Sequence, residues 1–383
     1  MLEHATNTIS KPNQSLHSQI ERPTLLVDRQ RVLHNIARMV EKARASGVQL
    51  RPHFKTHQSA TIGEWFRSAG VHRITVSSVD MAVYFAAHGW TDITIAFPVN
   101  VRQIQRIDEL SGRVHLGLLV ESPETVEALS TRLLHPVDVW IKIDTGYGRT
   151  GIAWSDGSKV TAVARAICES KQLRFRGLLF HAGHSYQARS QPEVLAIYRE
   201  SMSRIHALQA QLKQAGFPDV AVSLGDTPTC SVAERFEGVD EIRPGNFVFY
   251  DLTQLAIGSC SEHDIAVALA CPVVAKHPER GELVVYGGAV HLSKDVLLLP
   301  DGRKCFGQVA LPHERGWGEL QANVYVTSVS QEHGTVAAPA SLIEQLQIGD
   351  LLMLVPVHSC LTADVMKRYL ALDGEQIAML DAR

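Results

Sequence analysis

The sequence contains no apolar run that approaches the ~18 residues needed to span a bilayer. Its first stretch, Met1 to Gln19, is polar and lacks the apolar core of a secretory signal. A loose N-terminal arm over 1–21 is expected instead. Excess charge is missing as well: the formal net charge is -3 over 383 residues. So small a charge predicts no nucleic acid partner and no anionic membrane partner. Cysteine is sparse and unclustered. The six (Cys168, Cys230, Cys260, Cys271, Cys305, Cys360) form no CxxC pair and no dense framework. That argues against a disulfide scaffold and suits a reducing cytoplasm, with thiols free or bound to metal. There is no internal repeat and no low-complexity tract.

What is present is an ordinary globular composition, long enough for a large core and two domains. Thr24–Val27 reads as a strand. Asp28 is placed to cap a helix in which Leu33, Ile36, Ala37, Val40 and Ala43 recur at helical spacing, ending at Gly47. β-like runs follow at 48–52, 72–77, 92–97, 114–120, 137–143, 174–181, 219–225 and 240–244. Amphipathic stretches such as 101–110 and 194–215 lie between them. Eight such units predict an α/β fold: a parallel (β/α)8 barrel over 22–255, with the strand at 24–27 left over. After about residue 255 the helical periods fade. Short β-rich runs at 265–269, 283–286, 322–326 and 351–355 predict a second, mainly antiparallel β-domain over 256–383.

Lys55 stands where the first barrel strand would end, in Pro52-His53-Phe54-Lys55-Thr56-His57. A lysine alone at such a place is ordinarily a solvated surface residue. Desolvated, it becomes a usable amine for a Schiff base. Its company favours the second reading. Asp144-Thr145-Gly146-Tyr147-Gly148-Arg149, His181-Ala182-Gly183-His184-Ser185-Tyr186, Gly225-Asp226-Thr227-Pro228-Thr229 and Arg243-Pro244-Gly245-Asn246 each follow another predicted strand. The βα loops of a barrel converge at one rim, where its active site lies. The last two clusters, with Gly225, Thr227, Gly245 and Asn246, suit a phosphate, because small residues let backbone N–H groups approach an anion. A reactive lysine beside a phosphate cradle suggests pyridoxal phosphate. His181 is placed to lie against its ring, Arg243 to face the ring nitrogen, and Arg149 to bind the ring hydroxyl or a substrate carboxylate.

With these motifs the chain resembles the fold-type III pyridoxal phosphate enzymes, the alanine racemase-like barrels. It is most similar to the branch that holds zinc-dependent D-serine dehydratases, D-threonine aldolases and 3-hydroxy-D-aspartate enzymes. Leu292-Ser293-Lys294-Asp295, Ser330-Gln331-Glu332-His333-Gly334 and Pro356-Val357-His358-Ser359-Cys360 extend the likeness nearly to the C-terminus. The resemblance implies covalent cofactor attachment at Lys55, with His53 and Tyr186 in the cofactor-binding set. It also implies that strand 24–27 joins the β-domain, that the substrate is a small D-amino acid, and that the protein is a homodimer. Tyr286-Gly287-Gly288-Ala289-Val290-His291 departs from the family's Asp-Ala-Gly-like run at that point.

His358 and Cys360 follow the apolar run Leu351 to Val355. In an extended segment i and i+2 share a side, so an imidazole and a thiolate would face one divalent metal, Zn²⁺ by preference. Glu332 or His333 is expected behind them or as an acid–base group. The family pattern links a cysteine as second ligand to dehydration, and a carboxylate there to aldol cleavage. D-Serine dehydratase-like elimination is therefore expected, with retro-aldol cleavage and racemisation as the alternatives.

Overall fold

A computed structural model describes residues 16–313 and 316–380. Of the expected arm, residues 1–15 lie outside the described part. Leu16–Gln19 form a single 3-10 turn and Ile20 is buried.

Eight parallel strands form one sheet in the order Gln49–Leu50, Glu241–Ile242, Ala221–Leu224, Leu173–Phe180, Val137–Asp144, His115–Val120, Asp92–Pro98 and Ile74–Val76. A parallel bridge from His53 to Thr75 joins the two ends and closes the barrel. All eight expected strands are present. The strands are buried on both faces, as in Val137–Asp144, where every residue but the last is buried. This is why they read as unbroken apolar runs in the sequence.

Thr24–Val27 lies outside the barrel. It pairs antiparallel with Val267–His277 and parallel with Arg368–Ala371, so it is a central strand of a second, nine-stranded and mainly antiparallel sheet. The chain enters the barrel directly from this strand. Asp28 Oδ1 caps the helix Arg29–Ala45 by accepting the N–H groups of Gln30 and Arg31 at 2.9 and 3.1 Å. The buried stripe of that helix is Val32, Asn35, Ile36, Met39 and Ala43, whereas Leu33 is exposed. The expected stripe was thus turned by about one residue. Asn35 lies on the buried stripe, and its carboxamide donates to the Asp264 carbonyl at 2.7 Å. Among the described residues no helix is long and apolar enough to cross a membrane.

Ion pairs tie the first and last barrel strands at the end opposite the motif loops. Arg51 bonds Glu241 at 2.5 Å and Asp92 at 2.6 Å, with the Arg51 and Glu241 side chains each 7% exposed. Burial alone would lower the Arg51 pKa, but the two carboxylates outweigh it and raise it. Removing one partner leaves a buried charge uncompensated. Arg51→Ala is expected to cost roughly 3–5 kcal/mol in urea unfolding. A loss below about 1 kcal/mol would mean that this end is held by packing alone.

Candidate active site

The motif loops converge at the C-terminal rim of the barrel. Two adjoining hollows of about 470 and 450 Å³ share Lys55, Arg149, His181, Tyr186, His358 and Cys360 on their walls. His53 and Arg243 line the first, Asn246 the second. Gly225, Thr227 and Gly245 line neither; they stand behind the wall.

Lys55 sits in the turn after the first strand and projects into the space between barrel and β-domain. Its amine is accessible from the hollows, yet protein surrounds it. Burial lowers its pKa; Arg149 and Arg243 push the same way, and Cys360 opposes them. His57, two residues on, belongs to the core. It packs between Phe54 and Phe66, accepts the Ser59 N–H, and burial takes its pKa down to about 3.

Each remaining side chain is aimed by a local device. The Asp144 carboxylate accepts the N–H groups of Gly146, Tyr147 and Gly148, which folds the loop and delivers Arg149 over the Tyr147 ring. His181 Nδ1 bonds the Gly225 carbonyl. Burial lowers its pKa well below the ordinary value, with Lys142, Lys55 and both arginines adding to the effect. Arg243 donates to Ser223 Oγ at 2.6 Å and to the Phe180 carbonyl at 2.8 Å. Ser223 in turn donates to Glu241 at 2.7 Å, so the arginine is fixed from the ion pairs below.

The surroundings of the two glycines leave no room for side chains. A Cβ on Gly225 would fall 2.8 Å from the Arg243 guanidinium. One on Gly245 would fall 3.0 Å from the His53 carbonyl and 3.0 Å from Thr56 Oγ1. Thr227 donates its N–H to the Tyr186 hydroxyl at 3.2 Å. Thr227 Oγ1, Thr229 Oγ1 and Asn246 Oδ1 are buried without a hydrogen-bond partner. Buried polar atoms are rarely left so. The two threonine hydroxyls can donate to a phosphate beside these glycines, so they fit the cofactor, whereas Asn246 Oδ1 only accepts and would not bond a phosphate oxygen.

The metal motif meets its expectation by a different route. His358 is not in an extended run with Cys360. It is the N-cap residue of the helix Ser359–Met366, and Cys360 lies in the first turn. The strand Leu351–Pro356 ends at a proline, which cannot donate to a continuing ladder. Imidazole and thiol still face the same two hollows. Burial opposes charge on both. The Cys360 thiolate, Asp295 and Asp251 nevertheless raise His358 to about 11, and His358, Lys55 and Thr56 bring the Cys360 thiol below its ordinary value. An imidazole and a stabilised thiolate are a donor set that fits zinc. Among the described residues no cluster of three or more His, Cys, Asp or Glu is arranged as a metal site. Two protein ligands would leave positions open. Behind His358 stands Asp295, at 2.7 Å from Nδ1. Glu332 pairs instead with His291 at 3.7 Å, and His333 with Ser330 at 3.3 Å.

Residues 27–252 match the family model for the alanine racemase N-terminal domain, and residues 266–372 that for a putative serine dehydratase domain. The chain belongs to the alanine racemase-like, fold-type III pyridoxal phosphate enzymes. Within this family it is 32% identical to D-threo-3-hydroxyaspartate dehydratase of Delftia sp. (strain HT23), over 93% of this chain and 95% of the relative. The solved structure of that Delftia protein superposes with a TM-score of 0.88, over 97% of this chain and all of the other, at 30% identity. A cysteine-to-alanine mutant of it is known in the metal-free form. D-Serine dehydratase of Dictyostelium discoideum is 28% identical over 94% of this chain and 95% of its own.

Three further site residues of this alanine racemase-like chain escaped the sequence reading. Lys142 lines the first hollow from the middle of an apolar strand, and burial beside Arg243 and Arg149 takes its pKa down to about 7. A lysine inside such a run was the available signal. Asp295 closes a quoted motif, but its partner is 63 positions away. Asp251 caps its own helix, and nothing local in the sequence marked its second bond, to Ser359.

Proposed function

We propose that the protein is a pyridoxal phosphate- and divalent metal-dependent lyase acting on D-3-hydroxy amino acids. The reading supported best is D-serine dehydratase-like β-elimination, giving a 2-oxo acid and ammonia. The observation that carries it is the pairing of Cys360 with His358 on the wall of the space into which Lys55 projects. In this reading the barrel, 22–255, carries the cofactor residues and the β-domain, 256–383, carries the metal residues. The protein is a cytoplasmic homodimer. Six free cysteines support the location, and likeness to the family supports the dimer.

Lys55 would hold the cofactor through its amine. Gly225, Thr227, Gly245, Asn246 and Tyr186 would hold its phosphate, and His53 and His181 its ring. Arg243 would face the ring nitrogen, and Arg149 the ring hydroxyl or the substrate carboxylate. When bound, the cofactor supplies an electron sink for charge developing at Cα. Lys55, displaced by the substrate amine and with its pKa lowered, is the base that takes the Cα proton. His358 and Cys360 would hold the metal, which supplies Lewis acidity at the β-oxygen. Arg149 would hold the substrate carboxylate, so that the Cα proton faces Lys55.

A panel of D-serine, D-threo-3-hydroxyaspartate, D-threonine and L-serine tests this reading, with 2-oxo acid, ammonia, glycine and aldehyde measured separately. The expected result is 2-oxo acid and ammonia from D-configured substrates only. Racemisation unaffected by chelator, or equal turnover of L-serine, would overturn it. Gly245→Val gives a test of the cradle. Its Cβ would meet backbone and Thr56 at 3.0 Å, so the loop must shift. Cofactor affinity is expected to fall about tenfold or more, with far-ultraviolet dichroism unchanged. An unchanged affinity would remove Gly245 from the cradle.

A further inference from the structure

The first N–H groups of a helix are ordinarily satisfied by the side chain of the N-cap residue. In Ser359–Met366 that residue is His358, and its side chain makes no cap bond. The imidazole is turned away, with Nδ1 on Asp295. An acceptor for the first of these N–H groups, that of Ser359, comes from across the seam. Asp251 Oδ2 accepts the Ser359 N–H at 3.0 Å and lies 3.3 Å from the Ser359 hydroxyl. The same oxygen accepts the Asn246 carboxamide N–H at 2.6 Å. That carboxamide also reaches Ser359 Oγ at 2.9 Å and Cys360 Sγ at 3.6 Å. Asp251 Oδ1 meanwhile caps its own helix, Leu252–Ile257, through Gln254 N–H at 3.0 Å. Asp251 is 1% exposed, so these bonds form away from competing water.

We propose that Asp251 is a positioning residue for the metal motif. From the barrel side it accepts the first N–H of the helix that carries Cys360, and so anchors that helix start while the His358 ring faces the hollow. Through Asn246, which donates to both the carboxylate and the Cys360 sulfur, the same group reaches the thiol. The inference rests on the metal reading above and extends it to a residue outside the His358–Cys360 pair.

The test uses three readouts on the full chain. They are zinc affinity of dialysed protein against a chromophoric chelator, pyridoxal phosphate affinity by absorbance, and Tm. Asp251→Asn retains one oxygen, and must give up either the cap of Leu252–Ile257 or the bridge to Ser359. Zinc affinity is expected to fall roughly 10–100-fold, and by more than pyridoxal phosphate affinity, which the change reaches only through Asn246. Thr253→Val is the control. It removes the neighbouring seam bond from Thr253 Oγ1 to the Val357 carbonyl, 2.8 Å, and leaves the carboxylate alone. It is expected to lower Tm but keep zinc affinity within about threefold. Should Asp251→Asn fail to fold, Ser359→Ala deletes only the hydroxyl and is expected to loosen zinc several-fold. Wild-type zinc affinity in Asp251→Asn or Ser359→Ala overturns the proposal, as does equal zinc loss in Thr253→Val. A wild-type protein that binds no zinc overturns the metal reading itself, which keeps the two failures apart.

Discussion

Lys55→Ala is expected to abolish the visible absorbance of the cofactor-loaded protein and to lower 2-oxo acid formation by at least about a thousandfold. The two losses have one origin. The amine that holds the cofactor is also the base at Cα, and general-base catalysis alone contributes roughly 10²–10⁴-fold. Stability should change by less than about 0.5 kcal/mol, because the side chain projects into open space and supports no core contact. The structure supplies a rival amine. Lys142 lines the same hollow, is buried, and with a pKa of about 7 has a substantial neutral fraction at neutral pH. Position separates the two. Lys55 borders both hollows and lies beside Cys360, whereas Lys142 lines one and bonds the Ile143 carbonyl at 3.3 Å. Lys142→Met is therefore expected to keep the absorbance. Borohydride reduction followed by peptide mapping decides the matter: a label on the Lys142 peptide would reassign the cofactor lysine.

Which parts of this molecule were legible beforehand follows from where the information resides. Barrel strands are covered on both faces, so each leaves an apolar run, and all eight fell where those runs lie. The catalytic loops follow the runs directly, which made Lys55, Arg149, His181 and Arg243 readable as one rim. Side-chain direction was less accessible. The helix after Asp28 buries Asn35, which bonds the Asp264 carbonyl 229 residues later. His358 and Cys360 were read as sharing a strand face, but they meet at a helix start whose cap comes from Asp251. Lys142, Asp251 and Asp295 owe their roles to partners in three dimensions. No spacing rule reaches such pairs. The two glycines were legible as residue types, but not that they line neither hollow and lie against Arg243, His53 and Thr56.

Removal of the metal is expected to separate the two halves of the reaction. Chelation should suppress 2-oxo acid formation from D-serine by roughly 10²–10³-fold, the size of several kcal/mol of Lewis-acid stabilisation. The absorbance of the cofactor on Lys55 should persist, because the residues proposed to hold its ring and phosphate are distinct from His358 and Cys360. Exchange of the Cα proton with solvent deuterium should also survive in part, since Lys55 does not need the metal for that step. Cys360→Ala should reproduce both effects, with zinc addition failing to restore full activity. Cys360→Asp is the more searching variant. Thr56 Oγ1 lies 3.3 Å from the sulfur, and the Asn246 carboxamide donates to it at 3.6 Å. A carboxylate there can accept from both, so the ligand would stay oriented while its donor changes from soft sulfur to hard oxygen. The harder site should favour loss of the hydroxyl proton over loss of hydroxide, and so raise glycine and acetaldehyde from D-threonine relative to elimination from D-serine. Metal analysis of exhaustively dialysed protein comes first. If it carries no divalent ion and chelator leaves elimination intact, the metal has no part in the chemistry, and His358 and Cys360 become a packed pair at a helix start.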